Sequence, residues 1–465
     1  MAKAPSFQVG TQPGKRLPPG HERGPVQTFR DANRFILDPL SYLEAQRRKY
    51  GDVYMLKLLG QRSYMLGRPA YAQHVLQSNH RNYTKSAKFS EIRRVLGYGL
   101  LTSEGTFWLR QRRLAQPAFH RRRLAAMFRE MELGTAAMLH RWETQRTEGG
   151  RFNLSLEMMR VALEIVSRTL FGAELPPEDS QAVYTSFTFV NEFANRRIRR
   201  PANPPMQLPL PAHRQFRHHL QVLDSIVYNI IEQRRKHGSQ QHDDLLAMLM
   251  ETTDADTGAQ MNNRQLRDEV LTLFLAGHET SANALTWTFY LLAQHPQARQ
   301  KLEQEVDRVL GTRSYPAPQD LQALPYARQV LSEAMRLYPP AWILARRSIE
   351  ADEMGPWEIL PRSEVAIPVY TIHRHPEWWE QPNAFRPERF TPEAAKQRPK
   401  FAYLPFGGGP RLCIGENFAW QEMLILLASI VKRYRLEHAP GHKVVPEPLV
   451  SLRPAYGMQM LAYRR

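Results

Sequence analysis

The sequence contains a single cysteine, Cys413, in 465 residues. One thiol forms no internal disulfide and cannot supply a tetrahedral cysteine zinc site. No run of about twenty apolar residues occurs, so no segment has the length of a membrane span. Residues 1–24 are polar and rich in Pro and Gly, and they lack the apolar core of a signal peptide. Acidic residues are in deficit: 45 Asp and Glu stand against 63 Lys and Arg, a net charge of +18. Such a charge suits nucleic acid. Yet the basic residues are spread along the whole chain, with no zinc-finger or basic-zipper spacing and no aromatic residues interleaved among them. A solvated basic surface or an acidic protein partner is the alternative. The expectation is a soluble, cytoplasmic, monomeric protein with no membrane anchor and no nucleic-acid partner.

Neither repeats nor long low-complexity segments break the chain. Residues 1–25 read as an extended lead containing Leu17-Pro18-Pro19-Gly20, and 26–465 as one domain. Short strands are expected at Val53–Lys57 and Ser63–Leu66, helices over most of 70–340, and a second strand-like zone at about 343–370. Proline-rich loops follow from 375 to 412, then a helix over about 416–435 and short closing strands. The longest helical pattern runs from about Asn263 to His295, on the order of 50 Å. Its middle, Val270 to Ala276, is apolar nearly all round, which argues for burial on every side. Asn262 or Asn263 can cap its start, and Pro296 ends it.

Cys413 lies in the run Phe406-Gly407-Gly408-Gly409-Pro410-Arg411-Leu412-Cys413-Ile414-Gly415. Such a loop lets backbone approach something flat or bulky. A helical pattern starts at Glu416, so the thiol sits near a helix N-terminus, where the dipole and free N–H groups favour a thiolate. A thiolate held this way can serve as the axial ligand of a haem iron. The run resembles the haem-ligand loop of the cytochromes P450, F-x-x-G-x-R-x-C-x-G, at all five fixed positions: Phe406, Gly409, Arg411, Cys413 and Gly415.

Other motifs follow in order. Mid-helix, Ala276-Gly277-His278-Glu279-Thr280-Ser281 places a glycine, an acid and a threonine where each is locally unfavourable. The threonine hydroxyl can bond the carbonyl four residues back and open a groove beside Gly277. His278-Glu279 opens like a zinc-protease motif, but the second histidine is replaced by Ala282. The segment resembles the P450 distal motif, A/G-G-x-D/E-T-T/S. Glu333 and Arg336, spaced i, i+3 on one helix face, resemble with Phe385-Arg386-Pro387-Glu388-Arg389-Phe390 the family's buried Glu–Arg–Arg triad, here Glu333, Arg336 and Arg389. Trp108 and Arg112 fit its W-x-x-x-R helix. One departure is Gly355-Pro356, where a Gly-Gly turn is usual; it puts the local hairpin in doubt.

The resemblance spans nearly the whole chain and implies the P450 fold, mainly α with a small β-rich lobe. It implies haem b (iron protoporphyrin IX) ligated by Cys413 and contacted by Trp108, Arg112, Ala276, Arg346, Phe406, Arg411 and Gly415, with Arg347 as the alternative to Arg346. Glu279 and Thr280 would organise dioxygen and protons. The implied reaction inserts one oxygen atom of O2 into an apolar small molecule: a fatty acid, terpenoid or other lipid. The pocket would draw on 89–101, 187–193, 274–280, 341–345 and 449–451. No flavin or ferredoxin module follows Cys413, so electrons are expected from a ferredoxin or flavodoxin with its NAD(P)H reductase. Arg110, Arg112, Arg113, Arg121, Arg122 and Arg123 form the expected docking cluster, and the prolines between 204 and 211 mark a mobile access region over about 195–215. A peroxide-driven enzyme of the same fold would not need Glu279 and Thr280. A haem sensor would need no substrate chamber.

Overall fold

The computed structural model describes residues 16–20, 24–58, 61–145, 147–172, 176–200, 203–237, 244–254, 256 and 258–465. In chain order the helices are α1 (Pro25–Leu37), α2 (Pro39–Tyr50), α3 (Pro69–Gln73), α4 (Phe89–Leu96), α5 (Gly105–Ala115), α6 (Arg121–Gln145), α7 (Leu154–Phe171) and α8 (Pro177–Arg199). They continue with α9 (Pro211–His237), α10 (Leu245–Glu251), α11 (Asn263–Gln294), α12 (Pro296–Leu310), α13 (Pro325–Leu337), α14 (Val369–Ile372), α15 (Pro392–Lys396) and α16 (Glu416–Arg433). Helices therefore dominate, as expected.

α11 is the axis. Its capping box is complete: the Asn262 side chain accepts from the Gln265 amide, and the Gln265 side chain accepts from the Asn262 amide. Most of its residues are buried, because α7, α9, α13 and α16 surround it. A helix apolar on all sides is stable only in such a position. His295 closes it, and Pro296 opens α12 at the position where proline's missing N–H costs nothing.

The β-rich lobe is a five-stranded sheet in the order β1-β2-β8-β5-β3. It is built from β1 (Val53–Leu58), β2 (Gln61–Leu66), β3 (Tyr83–Lys85), β5 (Leu344–Ser348) and β8 (Glu364–Ile367). β2 and β8 run parallel; the other pairs are antiparallel. Residues far apart in the chain thus share one sheet, which carries part of the site below. β6 (Asp352–Met354) and β7 (Trp357–Ile359) pair as a hairpin with Met354 opposite Trp357. Gly355 takes φ +62, so the Gly355-Pro356 turn forms despite the missing donor. A second sheet joins β4 (Arg151–Asn153), β12 (Gln459–Arg464) and β9 (Tyr434–His438), and β10 (Pro446–Pro448) pairs with β11 (Leu452–Pro454). Of the N-terminal lead, residues 1–15 and 21–23 lie outside the described residues. The Pro19 carbonyl accepts from the Met55 amide and the Arg16 carbonyl from Glu358, so the described part of the lead is tied to β1 and β7.

Candidate haem site

The Cys413 loop is shaped by backbone contacts. The Cys413 amide donates to the Phe406 carbonyl at 3.1 Å, closing the turn. Gly409 has φ +68, and a Cβ there would meet the Leu76 carbonyl oxygen at 1.7 Å, so no other residue fits. Gly415 sits at the N-cap of α16, and Phe406 packs beside Trp420 with ring centroids 5.9 Å apart. α5 braces the loop from its other side. Arg112 Nη1 donates to the Leu412 carbonyl at 2.9 Å, and the Arg411 guanidinium lies 4.3 Å over the Trp108 ring while donating to the Ser103 carbonyl. The four residues Trp108, Arg112, Arg411 and Cys413 therefore meet in one place.

The thiol lies deep in the molecule, yet it is open to a water-sized probe. The two observations agree only if Cys413 lines an internal chamber. On α11, Ala276 is likewise open although Phe274, Leu275, His278 and Glu279 around it are buried, and Thr280 is partly open. The open side of α11 is thus at Ala276, next to Gly277. A Cβ on Gly277 would reach Val166 Cγ2 at 2.9 Å: this glycine serves the close packing of α11 on α7. The Thr280 hydroxyl donates to the Ala276 carbonyl at 2.6 Å, as its mid-helix position requires. His278 is buried, with Nδ1 2.5 Å from the Phe274 carbonyl.

Charge beside the chamber is one-sided. Lys85 of β3, Arg346 of β5 and Arg411 gather around one acid, Glu104. That carboxylate already accepts from the Thr84 hydroxyl and the Lys85 amide. Burial and the Arg411 charge pull Arg346 down to about 10, and burial pulls Arg411 to about 10 against the attraction of Glu104. Burial, Arg346 and Arg411 hold Lys85 well below its usual range. An excess of buried cations is unfavourable unless an anion joins them. Two carboxylates on a flat apolar ring would fit, and the donor set therefore suits haem. Arg346 is the inward residue of its pair; the Arg347 Nε turns outward to the Arg362 carbonyl. Burial pushes the Cys413 thiol up, with the Gly415 amide and Arg112 opposing and Glu416 adding to it. A coordinated metal cation would hold it as the thiolate.

The triad lies behind the loop. Arg336 donates Nε and Nη2 to the two Glu333 oxygens at 2.7 and 2.8 Å, and both side chains are wholly buried. Arg389 Nε stands 3.4 Å from Glu333, and the Arg386 amide donates to it at 2.9 Å. The remaining Arg336 donors reach the His373, Pro382 and Ala384 carbonyls, so the helix holds two loop segments at once.

The family's sequence model, Cytochrome P450, matches residues 33–461. The chain belongs to the cytochrome P450 family. Cyclooctatin synthase of Streptomyces melanosporofaciens is 37% identical over 415 residues, 89% of each chain. Pentalenene oxygenase of Streptomyces avermitilis is 30% identical over 448 residues, 96% of this chain and 95% of that one. Cyclooctat-9-en-7-ol 5-monooxygenase of S. melanosporofaciens is 32% identical over 403 residues. The crystal structure of a cytochrome P450DA heme domain superposes with a TM-score of 0.86 at 25% identity, covering 97% of both chains. This P450 is a haem-thiolate monooxygenase, an oxidoreductase, and no helix among the described residues is long and apolar enough to cross a membrane.

Several residues of this P450 site were not singled out from sequence. Lys85 and Glu104 gave no motif. Phe187 and Phe274 fell in the expected pocket segments, but they pack on each other with centroids 5.9 Å apart and belong to the core. A small apolar void lies among Ile92, Val95, Val190, Asn191, Ala194, Leu275 and Val450; all but Ala194 come from four of those segments.

Proposed function

We propose that this P450 hydroxylates a terpenoid hydrocarbon, with haem b ligated by Cys413 and electrons from an acidic ferredoxin or flavodoxin. The observation that carries the reading is the one deep thiol open to an internal chamber beside a buried cluster of cations. Haem bound there supplies the iron at which dioxygen is reduced. Arg346, Arg411 and Lys85 would neutralise its carboxylates, Trp108 stacks under Arg411, and Arg112 fixes the Leu412 carbonyl next to Cys413. Phe406, Gly415 and Ala276 would contact the ring. The substrate class rests on the terpenoid names of three relatives and on the apolar void, whose lining offers aliphatic surface and a single amide.

Thr280 handles protons. Its hydrogen is committed to the Ala276 carbonyl, so its lone pairs face the chamber as acceptors. Thr280→Ala is expected to leave haem content and substrate affinity within about twofold, while product formed per reductant consumed falls roughly tenfold and peroxide accumulates. Unchanged coupling would remove Thr280 from the proton path. The same assay tests the reading as a whole: cyclic and linear terpenes, screened by haem spectral shift and then turned over with NAD(P)H and a ferredoxin system, should yield hydroxylated products. Product formed with peroxide alone, and none with the electron-transfer system, would favour the peroxygenase instead.

The donor is argued from charge. An open groove of about 530 Å3 is lined by Arg113, Gln116, Pro117, His120 and Arg123, and neighbouring Phe119 lies against the Gly415 end of the cysteine loop. The cluster is narrower than its sequence suggests. Arg110 lies 3.9 Å from Asp254, Arg113 pairs with Asp256 at 2.7 Å, and Arg112 turns to the loop. The Arg121 and Arg122 side chains lie outside the described residues. Arg113→Glu with Arg123→Glu should slow reduction by an acidic donor at least about tenfold at low salt and flatten its salt dependence. Equal rates in both proteins at every ionic strength would place docking elsewhere.

A further inference from the structure

Glu279 does not hang free beside Thr280. Its Oε2 accepts from Asn191 Nδ2 of α8 at 2.7 Å, and its Oε1 accepts from the Ser451 hydroxyl at 2.5 Å. Both partners are themselves oriented. Asn195 donates to the Asn191 Oδ1 at 3.2 Å and to its carbonyl at 2.9 Å, which leaves the Asn191 NH2 aimed at the acid. Asn283 donates to the Ser451 oxygen at 2.9 Å, so the Ser451 hydrogen is free to go to Glu279. Asn195, Asn283, Ser451 and Glu279 are all buried. Two titratable neighbours complete the setting: Arg453, which binds Glu447 at 3.0 Å and Glu192 at 3.4 Å and also feels the charge of Glu279, and His278 on α11 itself, whose burial disfavours its charged form.

The two tethers differ in kind. Ser451 sits in the β10–β11 turn, which is pinned by Trp342 Nε1 on the Leu449 carbonyl, by Trp287 Nε1 on the Leu452 carbonyl, and by the Leu452 amide on the Pro340 carbonyl. That turn is rigid. Asn191 sits on α8, which ends in a proline-rich connection to α9 and is closed onto α4 by the ion pair of Arg197 with Glu91 at 2.7 Å. α4 and α8 both border the apolar void, so a substrate entering between them must move one against the other.

Resting on the monooxygenase reading above, we propose that Asn191 and Ser451 are positioning residues that couple the seating of α8 to the orientation of Glu279. With α8 down, both carboxylate oxygens are held. When α8 lifts, the Asn191 bond breaks, Ser451 alone keeps the acid, and the carboxylate is released to turn about its remaining bond. Closure of the lid over a substrate therefore resets the acid before protons are needed.

The test is hydrogen exchange of α8 amides in the haem-loaded protein. Asn191→Leu should accelerate it roughly tenfold, as expected for loss of a hydrogen bond to a charged group, with a similar rise in the rate at which a bound azole inhibitor dissociates. Asn191→Asp supplies a signature that simple loosening lacks. It places a second carboxylate against Glu279 in place of the donor, so exchange, taken against the parent at the same pH, should exceed that of Asn191→Leu. In Asn191→Asp/Glu279→Gln, where an amide again faces a carboxylate, that excess should vanish. Exchange and dissociation unchanged in Asn191→Leu, or an excess that survives in the double variant, would overturn the coupling while leaving monooxygenation untouched. Failure to bind haem would count against the function, whereas the exchange pattern is read independently of turnover.

Discussion

Replacing Glu333 by leucine is expected to destabilise the protein by about 3–5 kcal/mol, because the wholly buried Arg336 guanidinium then loses its counter-charge. Arg336 also holds the His373, Pro382 and Ala384 carbonyls, so the loops that lead to the cysteine segment should loosen with it. The denaturant midpoint of the purified protein measures the first effect, and haem content after purification the second. Adding Arg336→Met should recover part of the loss, since removing both charges also removes the cost of burying one alone. A change below about 1 kcal/mol in Glu333→Leu, the range of a surface pair, would mean that the triad does not organise the loop.

Cys413→His should take monooxygenase turnover below detection while the fold persists. The residue sits in a loop whose shape is set by the Cys413 amide to the Phe406 carbonyl and by Gly409, neither of which depends on the side chain. Imidazole can bind iron, and the buried cations Lys85, Arg346 and Arg411 are untouched, so haem is expected to remain bound in part. What is lost is the electron-rich sulfur. Product formation at an appreciable fraction of the parent rate would show that another residue carries the ligand.

These features were unequally legible in the sequence. α11 was readable to within a residue, Asn263–Gln294 against the expected His295, because capping, all-round apolarity and Pro296 are local signals. β3 was not: three residues, Tyr83–Lys85, carry no alternation, and the strand exists only because β5 pairs with it. Lys85 was invisible for the same reason. The motifs at Cys413, Glu279-Thr280 and Glu333-Arg336 stand out in the sequence because they are fixed residue types at short spacing. The partners of Glu279 could not. Asn191 and Ser451 are 88 and 172 residues away in sequence, and nothing near either one points to an acid. Gly277 has a use the motif does not show: it makes room for Val166 of α7, while its neighbour Ala276 is the open position.

The central claim is that a haem iron is bound through the thiolate of Cys413. The absorption spectrum of the reduced, carbon-monoxide-treated protein, recorded beside that of Cys413→His, tests it most directly. The account predicts the red-shifted band of a thiolate-ligated haem in the parent and its absence in the variant. A parent spectrum of the histidine-ligated type, or the thiolate band surviving in Cys413→His, would contradict it.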